Sequence, residues 1–97
     1  MMTKRLILVG CGAFARELIN WVDDLVDLGK SIPVTGFLDD SPNALDGFPY
    51  SATHLGTITA YTPEAGDQLL MAIGDPKAKK TLYSELKGKG ASFASLV

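Results

Sequence analysis

Glycines at a strand-to-helix junction are the first residues of this chain that could do chemistry. Gly10-Cys11-Gly12-Ala13-Phe14-Ala15 fits the pattern G-x-G-x-x-A, directly after the apolar run Leu6–Val9. Glycine permits a tight turn and close approach of a ligand, and the helix N-terminus behind it offers unpaired amides to a phosphate. The position between a strand and a helix favours nucleotide or phosphate binding. The alternative is a structural turn without a ligand.

Two further segments carry candidate ligand-binding groups. Asp39 and Asp40 end an apolar run, where a carboxylate can accept hydrogen bonds from ribose or base groups. The alternative is a turn, which Asp-Ser-Pro sequences initiate by themselves. Gly74-Asp75-Pro76 again leads from an apolar run into a helix, and a bound anion would suit Lys79 in its first turns. The alternative there is a set of solvated lysines.

The remaining reactive or aromatic side chains predict less. Cys11 could have a lowered pKa beside a helix N-terminus, but a small structural residue is the commoner role. His54, the only histidine, lies in a predicted loop, and without a Cys or His pair no metal site is expected. Phe14 and Trp21 lie on the apolar stripe of a helix and are predicted core residues.

The elements that position these residues alternate between strand and helix. Glycine and proline separate the periodic segments. A polar loop is expected over 43–53, and 55–61 predicts either a short strand or one helical turn. The predicted strands are Lys4–Val9, Val34–Leu38, Gln68–Ile73 and Ser92–Val97, and the predicted helices are Ala13–Leu28 and one from Pro76, capped by Asp75, to Lys87, burying Ala78, Leu82 and Leu86.

This alternation predicts the fold class and the place of the site. Strands joined through helices form a parallel sheet with helices on both faces, which is a small Rossmann-like three-layer α/β domain. Leu6–Leu18 and Leu69–Leu82 both read as strand, glycine and helix. If these two units flank the point where the strand order reverses, both glycine loops face one crevice at the carboxyl ends of the strands.

Length and composition exclude several classes of protein. With 97 residues the chain is one small domain, and a net charge of −2 argues against a nucleic-acid binder held by bulk charge. No apolar run reaches the roughly 20 residues of a membrane span. A single cysteine excludes an internal disulfide, so the reducing cytoplasm is the expected compartment.

Taken in order, four motifs resemble a known family. These are ILVGCGAFARE ending at Glu17, Gly36–Asp40, Ala72–Asp75 and the segment from Gly90 to Val97. They resemble the N-terminal domain of bacterial sugar acyltransferases of the sialic acid O-acetyltransferase and bacillosamine N-acetyltransferase type. The resemblance covers nearly the whole chain.

The resemblance implies a domain that binds a nucleotide sugar, commonly a UDP-sugar, for acetyl transfer. It implies that the first loop holds phosphates and sugar, that the acidic pair reaches the nucleoside, and that the segment after the third apolar run forms the opposite wall. Those residues are Gly10, Cys11, Gly12, Ala13 and Phe14; Asp39 and Asp40; and Ile73, Gly74 and Asp75. Some relatives have a histidine at the position of Phe14, towards the sugar amine, so the resemblance does not decide whether the substrate is an amino sugar.

In such proteins a second domain, a left-handed β-helix of hexapeptide repeats, binds acetyl-CoA, forms the trimer and carries the catalytic histidine. No hexapeptide series occurs in these 97 residues. We therefore expect no catalytic residue, no bound cofactor and no acetyl transfer from this chain alone. Two other functions stay open from the residues: an NAD-binding fragment of an oxidoreductase, and an interaction module without a ligand.

Overall fold

The computed structural model of the chain describes residues 4–10, 13–41 and 52–94. The elements alternate in the predicted manner, with one additional strand. They are β1 (Arg5–Val9), α1 (Ala13–Asp27), β2 (Val34–Leu38), β3 (Thr53–His54), β4 (Asp67–Met71), α2 (Pro76–Gly88) and β5 (Ser92–Phe93).

The five strands form one parallel sheet in the order β3-β2-β1-β4-β5. Strand β1 is central, and its last residue, Val9, is in register with Leu38 of β2 and Met71 of β4. The chain runs outward from β1 to β3 and then returns to place β4 on the other side of β1. The predicted α/β class is confirmed, and the strand order reverses between β1 and β4.

The two helices cover opposite faces of the sheet, as right-handed crossovers in opposite directions require. Leu6 and Leu8 of β1 pack with α1, whereas Ile7 and Val9 belong to the cluster that Leu86 of α2 completes. All four side chains are at most 2% exposed. The apolar run in β1 is therefore covered on both faces, as the sequence predicts for a central parallel strand.

Trp21 is a correction to the predicted core of α1. The helix buries Ala15, Leu18 and Val22, but Trp21 is 49% exposed. At 100° per residue, Trp21 lies on the flank of the stripe centred on Val22, and the sheet covers only the centre. The side chain of Phe14, the other residue predicted to be in the core, lies outside the described part of the structure.

Helix α2 begins and ends close to the predicted residues. The Asp75 side chain accepts a hydrogen bond from the backbone N–H of Lys77, and Pro76 occupies the first turn. The backbone N–H of Lys89 bonds the carbonyls of Glu85 and Leu86 at the other end. The predicted burial is only partly right, because Leu86 is buried while Ala78 and Leu82 are half-buried. Helix α2 therefore packs on the sheet mainly through its last turn.

Three predicted segments differ from the structure or lie partly outside it. Residues 55–61 form no strand, since the short strand lies just before them at Thr53–His54, but they contain a hydrogen-bonded turn in which the N–H of Tyr61 donates to the carbonyl of Ile58 at 3.4 Å. Most of the predicted 43–53 loop lies outside the described residues. Strand β5 ends at Phe93, and 95–97 are likewise not described. No helix in the described ranges has the length and apolar character to cross a bilayer.

Candidate functional site

Three chain segments meet at the carboxyl edge of the sheet. They are Gly10 after β1, Asp39–Ser41 after β2 and Ala72–Asp75 after β4. The backbone N–H of Gly10 donates to the carbonyl of Leu38 at 2.7 Å, and that of Ala72 donates to the carbonyl of Val9 at 2.9 Å. The sheet ladder therefore continues beyond the strands and places the three segments side by side at the reversal point.

Gly10 is shaped for close approach of the third segment. Its φ is +87°, a left-handed conformation that L side chains rarely adopt. A Cβ built on Gly10 would collide with Cδ1 of Ile73 and lie 3.3 Å from its Cγ1. Because Gly10 has no side chain, Ile73 packs directly against it, and the loops after β1 and β4 are in contact. The role of Ile73 in binding stays a prediction.

The structure covers the glycine loop only in part. Cys11 and Gly12 lie outside the described residues. The backbones of Ala13 and Phe14 form the start of α1, and their side chains are not described. The described parts of this segment are therefore Gly10 and the backbone at the start of α1. Its role in binding stays a prediction.

Asp39 directly follows β2 at the carboxyl edge of the sheet. Its Oδ1 accepts a hydrogen bond from the backbone N–H of Ser41 at 2.9 Å, which is an Asx turn. A turn is therefore present here, but its acceptor is Asp39 and not Asp40 of the Asp-Ser-Pro sequence. Asp39 is half-buried and Asp40 exposed.

At the start of α2, Asp75 acts as the N-cap, and Gly74 is exposed, with no neighbouring atom within 4 Å of the position that a Cβ would occupy. The carboxylate accepts from Lys77 N–H at 3.4 Å, so it neutralises part of the helix N-terminus itself. Lys79 is exposed one turn further along. Its solvated position agrees with the alternative that the sequence left open, and a role in anion binding stays a prediction.

Two residues beside this edge have contacts that the sequence pattern does not indicate. The Nε2 atom of His54 lies 2.8 Å from the carbonyl oxygen of Asp39, so the histidine dismissed as a loop residue lies next to the acidic pair. A Cβ on Gly36 would lie 2.6 Å from Cδ1 of Leu55 and 2.8 Å from the carbonyl of Thr53. A glycine inside an apolar strand is the signal that could have revealed this close approach of β3.

The groups with perturbed pKa values lie at the opposite edge. Burial alone would raise the pKa of Asp67, but hydrogen bonds from Arg5, Tyr61 and the Glu64 N–H, together with the Arg5 charge, lower it. Burial raises the pKa of Tyr61, and donation to Asp67 at 2.6 Å raises it further. The hydrogen bond to Asp67 raises the pKa of Arg5.

This Arg5–Asp67 cluster is structural. Arg5 donates to both carboxylate oxygens of Asp67, at 2.7 and 2.9 Å, and to Glu64 at 2.8 Å. Asp67 also accepts from the Glu64 N–H at 3.1 Å, so its lone pairs are engaged within the protein. Perturbed pKa values here follow from an ion pair that fixes the segment before β4, away from the carboxyl edge.

A groove of about 780 Å³ also lies away from the candidate site. It runs between the C-terminal part of α1 and the amino-terminal end of β1 and β4. Its lining includes Leu6, Leu25, Lys30, Gln68 and Ala94. Ligands of open parallel sheets bind beyond the carboxyl ends of the strands, so the groove is not the predicted crevice.

Comparison with known proteins settles the family. A family model described as the PglD N-terminal domain matches residues 5–86. The chain belongs to the PglD N-terminal domain family. The resemblance to the N-terminal domain of sugar acetyltransferases is thereby confirmed. None of the curated proteins compared with the chain matches it.

The PglD N-terminal domain match spans every segment of the carboxyl edge. It begins at the first residue of β1 and ends at Leu86, the residue of α2 that completes the second core cluster. The family therefore accounts for the strand-glycine-helix units on both sides of the reversal point. It associates the domain with sugar biosynthesis by acetyltransferases.

Proposed function

We propose that this PglD N-terminal domain binds a nucleotide sugar, a UDP-sugar, and positions its sugar for acetylation. The observation that carries the proposal is the meeting of Gly10, Asp39 and Ile73 segments where the strand order reverses. Open α/β sheets bind nucleotides at such points. Membership in a sugar acetyltransferase domain family supports a sugar-linked nucleotide over other nucleotides.

Different residues would bind different chemical groups of the ligand. The segment from Gly10 through Cys11, Gly12, Ala13 and Phe14 would hold the phosphates, because the α1 N-terminus directs unpaired amides and a partial positive charge at an anion. Asp39 and Asp40 would accept hydrogen bonds from the nucleoside. The opposite wall would be Ile73, Gly74 and Asp75, with Lys79 as a further partner for negative charge.

In this proposal the domain supplies binding and orientation only. A hydroxyl or amine of the bound sugar would attack the acetyl carbonyl carbon of acetyl-CoA, the carbon–sulfur bond would break, and a base would take the proton. A β-helix domain would bind acetyl-CoA and would supply the base and the trimer contacts. Holding both reactants in register lowers the entropic part of the barrier, which is the contribution assigned to this chain.

The decisive test is an amide-shift NMR titration of the labelled protein with UDP, UDP-N-acetylglucosamine and NAD in parallel. We expect saturable shifts with both UDP ligands at residues 10–14, 39–41 and 73–75. A preference for NAD would favour a dinucleotide-binding domain of an oxidoreductase. Absence of shifts at these amides with all three ligands would contradict nucleotide binding and favour an interaction module.

A further inference from the structure

His54 lies beside the acidic pair because β3 extends the sheet by one strand. In the parallel register of β2 and β3, His54 is opposite Phe37, and the two rings are 5.2 Å apart at 54°. From this position Nε2 reaches the carbonyl oxygen of Asp39 at 2.8 Å. A carbonyl oxygen only accepts hydrogen bonds, so Nε2 carries the proton and donates.

Both backbone groups of Asp39 bond to β3 or to the residues directly after it. The N–H of Asp39 donates to the carbonyl of Gly56 at 3.1 Å, and its carbonyl accepts from His54. A third bond joins the same two segments: the N–H of Leu55 donates to the carbonyl of Phe37 at 2.9 Å. The hydrogen bond from the His54 ring thus adds one further link between β2 and β3 beyond their backbone hydrogen bonds.

Resting on the proposed nucleotide-sugar function, we propose that His54 is the positioning residue of the nucleoside subsite. By fixing the Asp39 carbonyl, it fixes the torsion angles of the residue whose carboxylate contacts the ligand and begins the turn to Ser41. Binding groups must be held within about 0.5 Å of their productive geometry by surrounding hydrogen bonds. His54 supplies that hydrogen bond without touching the ligand.

Three variants of the full chain separate positioning from packing. His54→Phe keeps a ring against Phe37 but has no N–H. His54→Gln places an amide N–H near the position of Nε2, whereas the shorter His54→Asn does not reach it. We expect His54→Phe and His54→Asn to weaken UDP binding about tenfold, because ligand binding must then order the Asp39 backbone, and His54→Gln to stay within about threefold of the original chain.

Affinity is measured by NMR titration with UDP, and the free energy of unfolding by urea denaturation. Weaker binding in the Phe and Asn variants, with recovery in the Gln variant, supports positioning. A merely structural role would lower the free energy of unfolding in the Phe and Asn variants and leave the UDP affinity of the folded protein unchanged. Equal UDP affinity in His54→Phe and the original chain overturns the proposal.

The ligand-free protein provides a readout that does not depend on the proposed function. If the original chain does not bind UDP, the proposed function fails, and the amide shifts of Asp39, Asp40 and Ser41 decide about His54. We expect them to change in His54→Phe and to recover in His54→Gln. Unchanged shifts in His54→Phe, or a ¹⁵N spectrum of His54 without a proton on Nε2, would overturn the positioning role.

Discussion

The backbone N–H of Ala72 donates to the carbonyl oxygen of Val9 across 2.9 Å, one residue beyond the end of β4. This bond joins the exits of the two strands on either side of the reversal point. It brings Gly10 and Ile73 into contact, so the loop after β1 and the loop after β4 form one surface. A ligand bound there would meet groups held by the central strands of the sheet.

Gly10→Ala should lower the free energy of unfolding by about 1–2 kcal/mol, because an L residue at φ +87° is strained. The new methyl group would also displace the side-chain end of Ile73. Urea denaturation measures the loss. Gly88→Ala is the control, since its Cβ meets nothing within 4 Å at the last residue of α2, and it should be neutral or stabilising by up to about 1 kcal/mol. Equal stability of both variants would contradict the role assigned to Gly10.

Asp39→Ala should weaken UDP binding by about tenfold while the domain stays folded, because it removes a charge-assisted hydrogen bond to the nucleoside. Asp39→Asn keeps an oxygen acceptor for the N–H of Ser41 and therefore separates the turn from the charge. NMR titration measures both affinities. Asp23→Ala on the exposed face of α1 is the matched control and should bind as the original chain does. Unchanged affinity in folded Asp39→Ala would remove Asp39 from the site.

Gly36→Ala should destabilise the domain by about 1–3 kcal/mol through overpacking. The added Cβ would lie 2.7 Å from Cγ of Leu55 and 2.8 Å from the carbonyl oxygen of Thr53, and the backbone atom cannot move without shifting β3. Because His54 follows Thr53, its bond to Asp39 should weaken as well. Thermal unfolding and the amide shift of Asp39 measure the two effects. A variant as stable as the original chain would show that β3 is not held at this distance.

Acid should weaken the fold through Asp67. Its pKa is lowered in the folded protein, so its contribution is present above the ordinary value of 3.8 and is lost as the pH falls through the folded value. Asp67→Asn should therefore cost about 2 kcal/mol at pH 7 and flatten the fall in unfolding free energy between about pH 5 and pH 2.

Tyr61→Phe serves as the graded comparison for the same experiment. It removes the 2.6 Å hydrogen bond to Asp67 and leaves the two bonds from Arg5 in place. We expect a loss of about 1 kcal/mol and only a partial flattening of the pH dependence. Urea denaturation at several pH values measures both variants, and an unchanged slope in Asp67→Asn would rule out this origin of acid sensitivity.

The sequence predicts those elements whose signals are local. The apolar run Leu6–Val9 and the Asp75-Pro76 cap mark a buried strand and a helix start without reference to the rest of the chain. Strand β3 has no such signal, because it is two residues long and owes its strand character to pairing with β2. Trp21 was misplaced for a related reason: periodicity gives its side of α1, but the width of the sheet beneath decides its exposure.

The residues of the candidate site also differ in whether the sequence could predict them. Glycine and aspartate positions after the strands could be predicted, since all carboxyl ends of a parallel sheet share one edge. The place of His54 could not, because it depends on the close approach of β3 to Gly36, a contact between segments that no periodic pattern records.

The central position of β1 also determines how this domain can fold. Its two edges pair with β2, which follows closely in the chain, and with β4, which begins only at Asp67. Strand β1 cannot be paired on both edges until the long connection to Asp67 has closed. The conformational entropy of that connection is therefore lost before the hydrogen bonds between β1 and β4 form. We expect the docking of β4 onto β1 to limit the folding rate, because it joins residues far apart in the chain. During synthesis on a ribosome, one edge of β1 would stay unpaired until β4 emerges.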